Sequence, residues 1–166
     1  MSLSGEVETV RVSIDLAVDP ATAFATFTED VDLWWARGRK NRFRAPWVGI
    51  MRFEPGPDGR LVEVYDDETG DLYEVGRITA WEPGHRLAFT WRIPNFAPDE
   101  ITYVSVTFEP IADGTRVTLE HSGWEALRPD HPARHGLTGT GFRMMRSGWW
   151  ADHFVAIKRF TEGDQP

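Results

Sequence analysis

The chain has 166 residues, 26 acidic against 18 basic side chains, and no cysteine. Without cysteine there is no disulfide scaffold, thiolate metal site, iron–sulfur cluster or cysteine nucleophile, and a net charge of −8 argues against general nucleic-acid binding, which needs a basic surface. What stands out is the aromatic set of 8 Trp, 10 Phe and 3 Tyr, large apolar groups that suit a hydrophobic ligand as well as a core.

In chain order, Val10, Val12, Ile14, Leu16 and Val18 alternate with mostly polar residues, the period-two pattern of a strand with one buried face. Asp19-Pro20 supplies a helix N-cap and a proline at the first helical position, which predicts a short helix carrying Phe24 and Phe27. After the turn Thr28-Glu-Asp30, Val31–Trp35 reads as a second short helix. The basic stretch Arg37-Gly-Arg39-Lys40-Asn-Arg42-Phe-Arg44 has two readings, a solvated loop or a sub-site for an anionic ligand. Strands are expected at 50–54, 60–65, 72–81, 86–91, 101–109 and 115–121, separated by turn sequences such as Pro55-Gly-Pro-Asp-Gly59. With the first strand this makes an antiparallel meander of seven. Residues 126–139 read as a long loop. Residues 140–161 then read as a helix about 30 Å long, enough to cross a sheet, with Gly148 as a candidate break. The expected organisation is one domain over 9–162, with polar tails at 1–8 and 163–166. The first of these has no signal-peptide character. No run of about 18 apolar residues offers a membrane span, so a cytoplasmic location is expected.

A curved sheet needs a cover, and the last helix is the one long enough to provide it. Projected at 100° per residue, Phe142, Met145, Trp149, Ala156, Ile157 and Phe160 share one arc, with Trp150 and Phe154 at its margin and Arg146 and His153 inside it. Two readings follow. The first is a packed aromatic core with Arg146 snorkelling to water. The second is a cavity with Arg146 and His153 as polar handles. His121 is in phase with Val117 and Leu119 and therefore faces the same interior, as a structural histidine or as an acid–base group. Asp130, His131 and His135 have ligand spacing only on a helix, which Pro132 opposes, so no metal is expected. Gly136, Gly139 and Gly141 read as a hinge. Trp34, Trp35, Trp47, Phe96 and Trp124 gather near one end of the sheet, either plugging a cavity mouth or stacking on a guest.

Several blocks carry a family resemblance. Asp19-Pro-Ala-Thr-Ala-Phe24 followed by Trp34-Trp35, Gly76-Arg-Ile-Thr-Ala-Trp-Glu-Pro-Gly-His-Arg-Leu87 with Phe89-Thr-Trp91, Gly114-Thr-Arg-Val-Thr-Leu-Glu-His121 with Gly123-Trp124, and Ser147-Gly-Trp149 run in order over nearly the whole chain. Together they resemble the START-like (helix-grip, SRPBCC) superfamily, nearest to homologues of the heat-shock-protein-90 ATPase activator. The resemblance implies an α+β helix-grip fold: a curved antiparallel sheet of about seven strands, two short helices after the first, and a long C-terminal helix across it. It further implies a deep cavity between sheet and helix. The superfamily includes lipid carriers, hormone receptors, polyketide cyclases and co-chaperone domains and shares no single catalytic set, so fold alone does not assign function.

The expected function is therefore binding of a small hydrophobic or aromatic molecule. Trp34, Trp35, Trp91, Phe108, Phe142, Met145 and Trp149 are the expected walls, and His121, Arg146 and His153 the groups that orient the ligand. No catalytic residue, metal or cofactor is expected, and the sequence leaves open a homodimer through a sheet edge or the exposed aromatics. The alternatives are a cyclase- or hydrolase-like enzyme using the same cavity and a co-chaperone-like interaction module.

Overall fold

A computed structural model describes residues 8–163; the expected tails lie outside the described residues except for Glu8 and Gly163. The elements are β1 (Val10–Leu16), α1 (Pro20–Thr28), α2 (Val31–Trp34), β2 (Ile50–Phe53), β3 (Arg60–Asp66), β4 (Asp71–Glu82), β5 (Arg86–Trp91), β6 (Thr102–Ile111), β7 (Gly114–Ser122) and α3 (Gly139–Thr161). All seven strands join one sheet in the order β1-β7-β6-β5-β4-β3-β2, and every pairing is antiparallel. This is the expected helix-grip architecture. Register shifts within the β3–β4 and β4–β5 pairings add the local twist that helps a sheet curve.

Each element follows from its local sequence. In β1 the polar residues point outward onto partners in β7: Arg11 meets Glu120 at 3.0 Å and Arg116 meets Asp15 at 2.9 Å. Val10 and Leu16 are buried on the other face. The Asp19 carboxylate accepts from the Thr22 amide at 2.7 Å and starts α1 as the sequence predicts. Both sheet edges are partly covered. Lys158 Nζ of α3 donates to the Asp15 carbonyl on β1 at 3.0 Å, and the Met51 amide on β2 donates to Asp32 Oδ1 at 2.8 Å.

Two expectations change in the last third of the chain. The helix runs unbroken for 23 residues. Gly148 has open space where a side chain would be, so nothing presses on the helix there to bend it. Its buried face consists of Phe142, Arg146, Trp150, His153, Phe154 and Ile157, with Phe160 exposed. The face is thus turned toward the line of Arg146 and His153. A hydrophobicity-weighted projection turns away from two polar residues at the centre of the stripe.

The loop expected to be a hinge is pinned instead. Arg134 is buried and donates to the carbonyls of Trp124 (2.6 Å), Leu127 (3.0 Å) and Arg128 (3.1 Å). It also pairs with Glu8 at 2.7 Å, and Glu8 in turn accepts from the Gly139 amide that opens α3 at 2.7 Å. Glu8, expected in a solvated tail, is therefore a buried clamp between the chain start, the late loop and the helix.

Removing one member of a buried pair leaves the other charge without compensation, so Arg134→Ala is expected to cost about 3–5 kcal/mol in urea denaturation. The Arg134 hydrogen bond holds the Glu8 carboxyl below its ordinary range. Its contribution is thus complete above the unfolded carboxylate range and is lost as pH falls through the lowered folded value. The stability gap between the parent and Glu8→Gln should accordingly close in acid.

Candidate functional site

The seam between α3 and the sheet is filled with rings. Trp91 projects from β5 and Trp35 follows α2; the two stack at 6.0 Å with 25° between their planes. Trp149 and Trp150 come down from α3 and meet Trp91 at 5.7 and 5.6 Å. His153 lies 4.4 Å from Trp149 and 5.0 Å from Trp35. The residues expected to line an open cavity therefore contact one another where that space was expected. A hollow of about 590 Å³ does occur, but it lies on the other side of the sheet, around Arg86, Tyr103, Ser105 and Glu120, and includes none of the expected walls.

The ten expected site residues divide into groups. Trp34, Trp35, Trp91, Trp149 and His153 come together directly. Phe142 joins through Trp124, whose ring is 5.0 Å away. Phe108 packs under α1 against Phe24 at 5.2 Å and reaches the cluster through Phe27, which lies 6.1 Å from it and 5.0 Å from Trp34; Met145 is half-buried beside the core. Two further participants are Trp150, outside the expected walls, and Trp124, expected only as a plug or stacking ring at the mouth; both are fully buried. Trp150 lay at the margin of the predicted helix face. Trp124 follows His121 by three residues, and its short 3₁₀ turn carries it back under α3.

His121 is engaged at both nitrogens. Trp150 Nε1 donates to its Nδ1 at 3.1 Å, so the proton sits on Nε2 and is directed to Thr102 Oγ1 at 2.8 Å. Thr102 in turn donates to the Trp91 carbonyl at 3.1 Å. Complete burial, reinforced by the nearby Arg146 charge, holds the imidazole well below 6.5 and neutral. This histidine ties α3 to β5, β6 and β7; the expected role in orienting a ligand finds no free nitrogen there. His153 differs. Its Nδ1 bonds the Trp149 carbonyl at 3.0 Å, which leaves the Nε2 lone pair buried without a partner, and burial pushes its pKa down to about 4.

Three arginines are buried among the described residues. Arg134 has Glu8, and Arg42 has Asp32 at 3.4 Å and Glu63 at 3.6 Å. Arg146, only 7% exposed, has no carboxylate among the described residues. Its single hydrogen bond is a long one, 3.4 Å to the Ala133 carbonyl. Its guanidinium carbon otherwise lies over Trp124 at 5.1 Å and Trp149 at 5.4 Å. Burial lowers its pKa to about 10, which still leaves it charged at neutral pH. Its Nε also has no partner, and the other orphaned buried side-chain atoms among the described residues are Trp91 Nε1, Trp124 Nε1 and His153 Nε2. All four belong to this one seam. Buried polar atoms in native structures nearly always have a protein or water partner, so three donors and one acceptor gathered in one place make this seam the candidate site.

The 36–49 loop is tied to the seam by two indole hydrogen bonds. Its carbonyls at Asn41 and Lys40 accept from Trp35 Nε1 (2.6 Å) and Trp149 Nε1 (3.3 Å). Trp149 is the half-buried member of the cluster and has the longer of these two bonds, so it is the ring most readily displaced. In the basic stretch of this loop Arg39 and Lys40 are exposed, as a solvated loop requires, while Arg42 takes neither expected role and is a buried pin between loop legs.

The family profile described as Activator of Hsp90 ATPase homolog 1-like protein matches residues 18–149. No curated protein matches the chain. Among solved structures, protein MLL2253 from Mesorhizobium loti is similar with a TM-score of 0.65 and 20% identity, covering 95% of this chain and 99% of that one. DynU16, a putative protein in the dynemicin biosynthetic locus, has a TM-score of 0.64 and 18% identity over 96% of this chain and 49% of its own. The Aha1 dimer from Colwellia psychrerythraea gives a TM-score of 0.58 and 16% identity, covering 93% of this chain and 96% of that one. At these identities the likeness concerns the fold.

The two buried histidines set a pH dependence. The unfolded chain takes up protons near pH 6.5, where the folded His121 and His153 do not. Stability is therefore complete above 6.5 and is lost as pH falls, through about 4 for His153. Each histidine contributes a slope of about 1.4 kcal/mol per pH unit within its window. Urea denaturation between these limits should show a shallower slope for His153→Leu; identical slopes would mean that this imidazole is not held neutral.

Proposed function

The chain belongs to the Activator of Hsp90 ATPase homolog 1-like family, and from that premise we propose that it binds an apolar or aromatic small molecule bearing an anionic group, in the seam between α3 and the sheet. One observation carries this reading: Arg146 is the buried arginine without a carboxylate, while Arg42 and Arg134 each have one. An uncompensated buried charge costs several kcal/mol. A ligand carboxylate, sulfonate or phosphate would supply the missing partner through charge-assisted hydrogen bonds. Trp91 and Trp124 offer indole N–H groups to the same ligand, and His153 Nε2 offers an acceptor for a hydroxyl or amine. Because the rings are in contact, binding involves displacement of side chains. Trp149, bonded to the loop carbonyl of Lys40, is the ring to move.

The hydrolase- or cyclase-like alternative is less well supported. His121 has both nitrogens engaged, and His153 has its Nδ1 on a backbone carbonyl rather than on a carboxylate that would raise its basicity. A homodimer gains support from the dimeric Aha1 of C. psychrerythraea.

Arg146→Met separates a ligand-binding arginine from a structural one. Replacing an uncompensated buried charge with an apolar side chain of similar length should leave the unliganded protein as stable or more stable in urea denaturation. The same change should weaken binding of an anionic aromatic probe, anilinonaphthalene sulfonate, by about ten- to a hundredfold. A destabilised variant with unchanged probe affinity would refute the assignment. Native mass spectrometry of protein purified from its source cells would weigh the natural guest.

A further inference from the structure

The β2 edge of the sheet carries exposed apolar side chains that the seam does not use. Trp47 is 67% and Leu33 64% exposed, and Val48 and Ile50 are also exposed. Trp47, Val48 and Ile50 follow one another into β2 after a tight turn closed by Arg44 and Trp47 at 2.9 Å, and Leu33 belongs to the helix tied to that strand, because Asp32 beside it accepts from the Met51 amide at 2.8 Å.

This surface is held outward by a rigid support. Glu63, fully buried, accepts from the amides of Phe43 (2.9 Å) and Gly49 (2.8 Å), on either side of the turn, and from the Tyr65 hydroxyl. Arg42 donates to Gly49 O at 3.0 Å and Trp35 O at 2.9 Å, binding the two legs of the loop together. At Gly49 a side-chain carbon would lie 2.4 Å from the Val64 carbonyl, so the backbone there fits closely against β3. A buried ion network thus fixes the backbone on either side of the turn that carries Trp47 and Val48, whose side chains are exposed.

The flanking charges indicate what covers this surface. Arg39 and Lys40 precede the turn, exposed and without an ion-pair partner among the described residues. On the other side, Arg44 reaches Asp71 at 2.7 Å and so places the turn beside the acidic 66–71 corner, where Asp66 and Glu68 are exposed and likewise have no ion pair. The apolar segment thus has a cationic stretch before it in the chain and, through Arg44, an anionic corner tied to it, opposite charges that two copies can pair reciprocally. Under a two-fold axis each corner meets the opposite corner of the other copy. The geometry points to a second copy of this chain docking here, with Trp47 at the centre and Arg39 and Lys40 facing the partner's Asp66 and the partner's Glu68. Because the Asp32 carboxylate already occupies the Met51 amide, the contact is made by side chains rather than by extension of the sheet. This rests on the homodimer reading above and specifies its interface.

Sedimentation velocity over a dilution series tests it. The parent chain is expected to dimerise. Trp47→Ala should raise the dissociation constant by about thirtyfold or more with an unchanged circular dichroism spectrum, since this ring is exposed. R39E/K40E and D66K/E68K should each be monomeric alone, because both corners then carry the same sign. An equimolar mixture of the two should form a heterodimer, because both contacts are restored. A dimer that survives Trp47→Ala would leave the homodimer standing but overturn this interface. A mixture that stays monomeric, or a parent chain that is monomeric and binds phosphatidylserine vesicles through Trp47, would overturn it as well.

Discussion

The placement of indole N–H groups organises this protein. A tryptophan buried between a helix and a sheet contributes a large apolar surface, but it also brings a donor that needs an acceptor in a region with few. Four of these rings find one, and each solution joins separate parts of the chain. Trp34 donates to the Thr26 carbonyl, Trp35 and Trp149 to the carbonyls of Asn41 and Lys40, and Trp150 to His121. The short helices, the 36–49 loop, the long helix and the sheet centre are thus joined through one set of rings. Trp91 and Trp124 find no acceptor among the described residues, and Trp124 lies under Arg146, the buried arginine that has no carboxylate among those residues. The rule that builds the seam therefore also marks where it is incomplete.

The three buried arginines illustrate two uses of the same side chain. Arg42 and Arg134 each sit in a complete set of carboxylate and carbonyl acceptors. Each closes a loop that hydrophobic burial alone would not define. Arg146 rests on two aromatic faces and one distant carbonyl. Cation–π contacts recover part of the lost hydration, but they cannot satisfy five N–H donors. The histidines make the same contrast. His121 is a completed link and His153 a half-completed one, four ångströms or so from the ring most free to move.

Much of the fold could be read from the chain, because the signals involved are local. Alternation in β1, the Asp19-Pro20 cap, the turn sequences of the meander and the length of the last helix each depend on residues within a few positions of one another. The candidate seam was only half legible. Trp34, Trp35, Trp91, Trp149, Arg146 and His153 were found as an aromatic set with polar handles. Trp150 was left at the margin because Arg146 and His153, polar residues at the centre of the buried stripe, turned the projected face away from itself. Phe108 was placed in the seam because it shares a strand face with Val104 and Val106, yet α1 lies over it. Glu8 was read as tail and Arg42 as part of a basic run, since each has its carboxylate or guanidinium partner far away in sequence or across a loop.

The sequence by itself determined the order of elements, the strand faces, the unusual number of indoles and the presence of an arginine and a histidine on the covering helix. Those properties follow from backbone periodicity and from side-chain chemistry, which need no partner. Tertiary structure alone decided which arginine has a counter-charge, which histidine has a free nitrogen and whether the rings enclose space or meet. Each of these is a balance between desolvation and the groups that happen to lie within about 3 to 4 Å in the folded chain, and such distances exist only once strands and helix are in place.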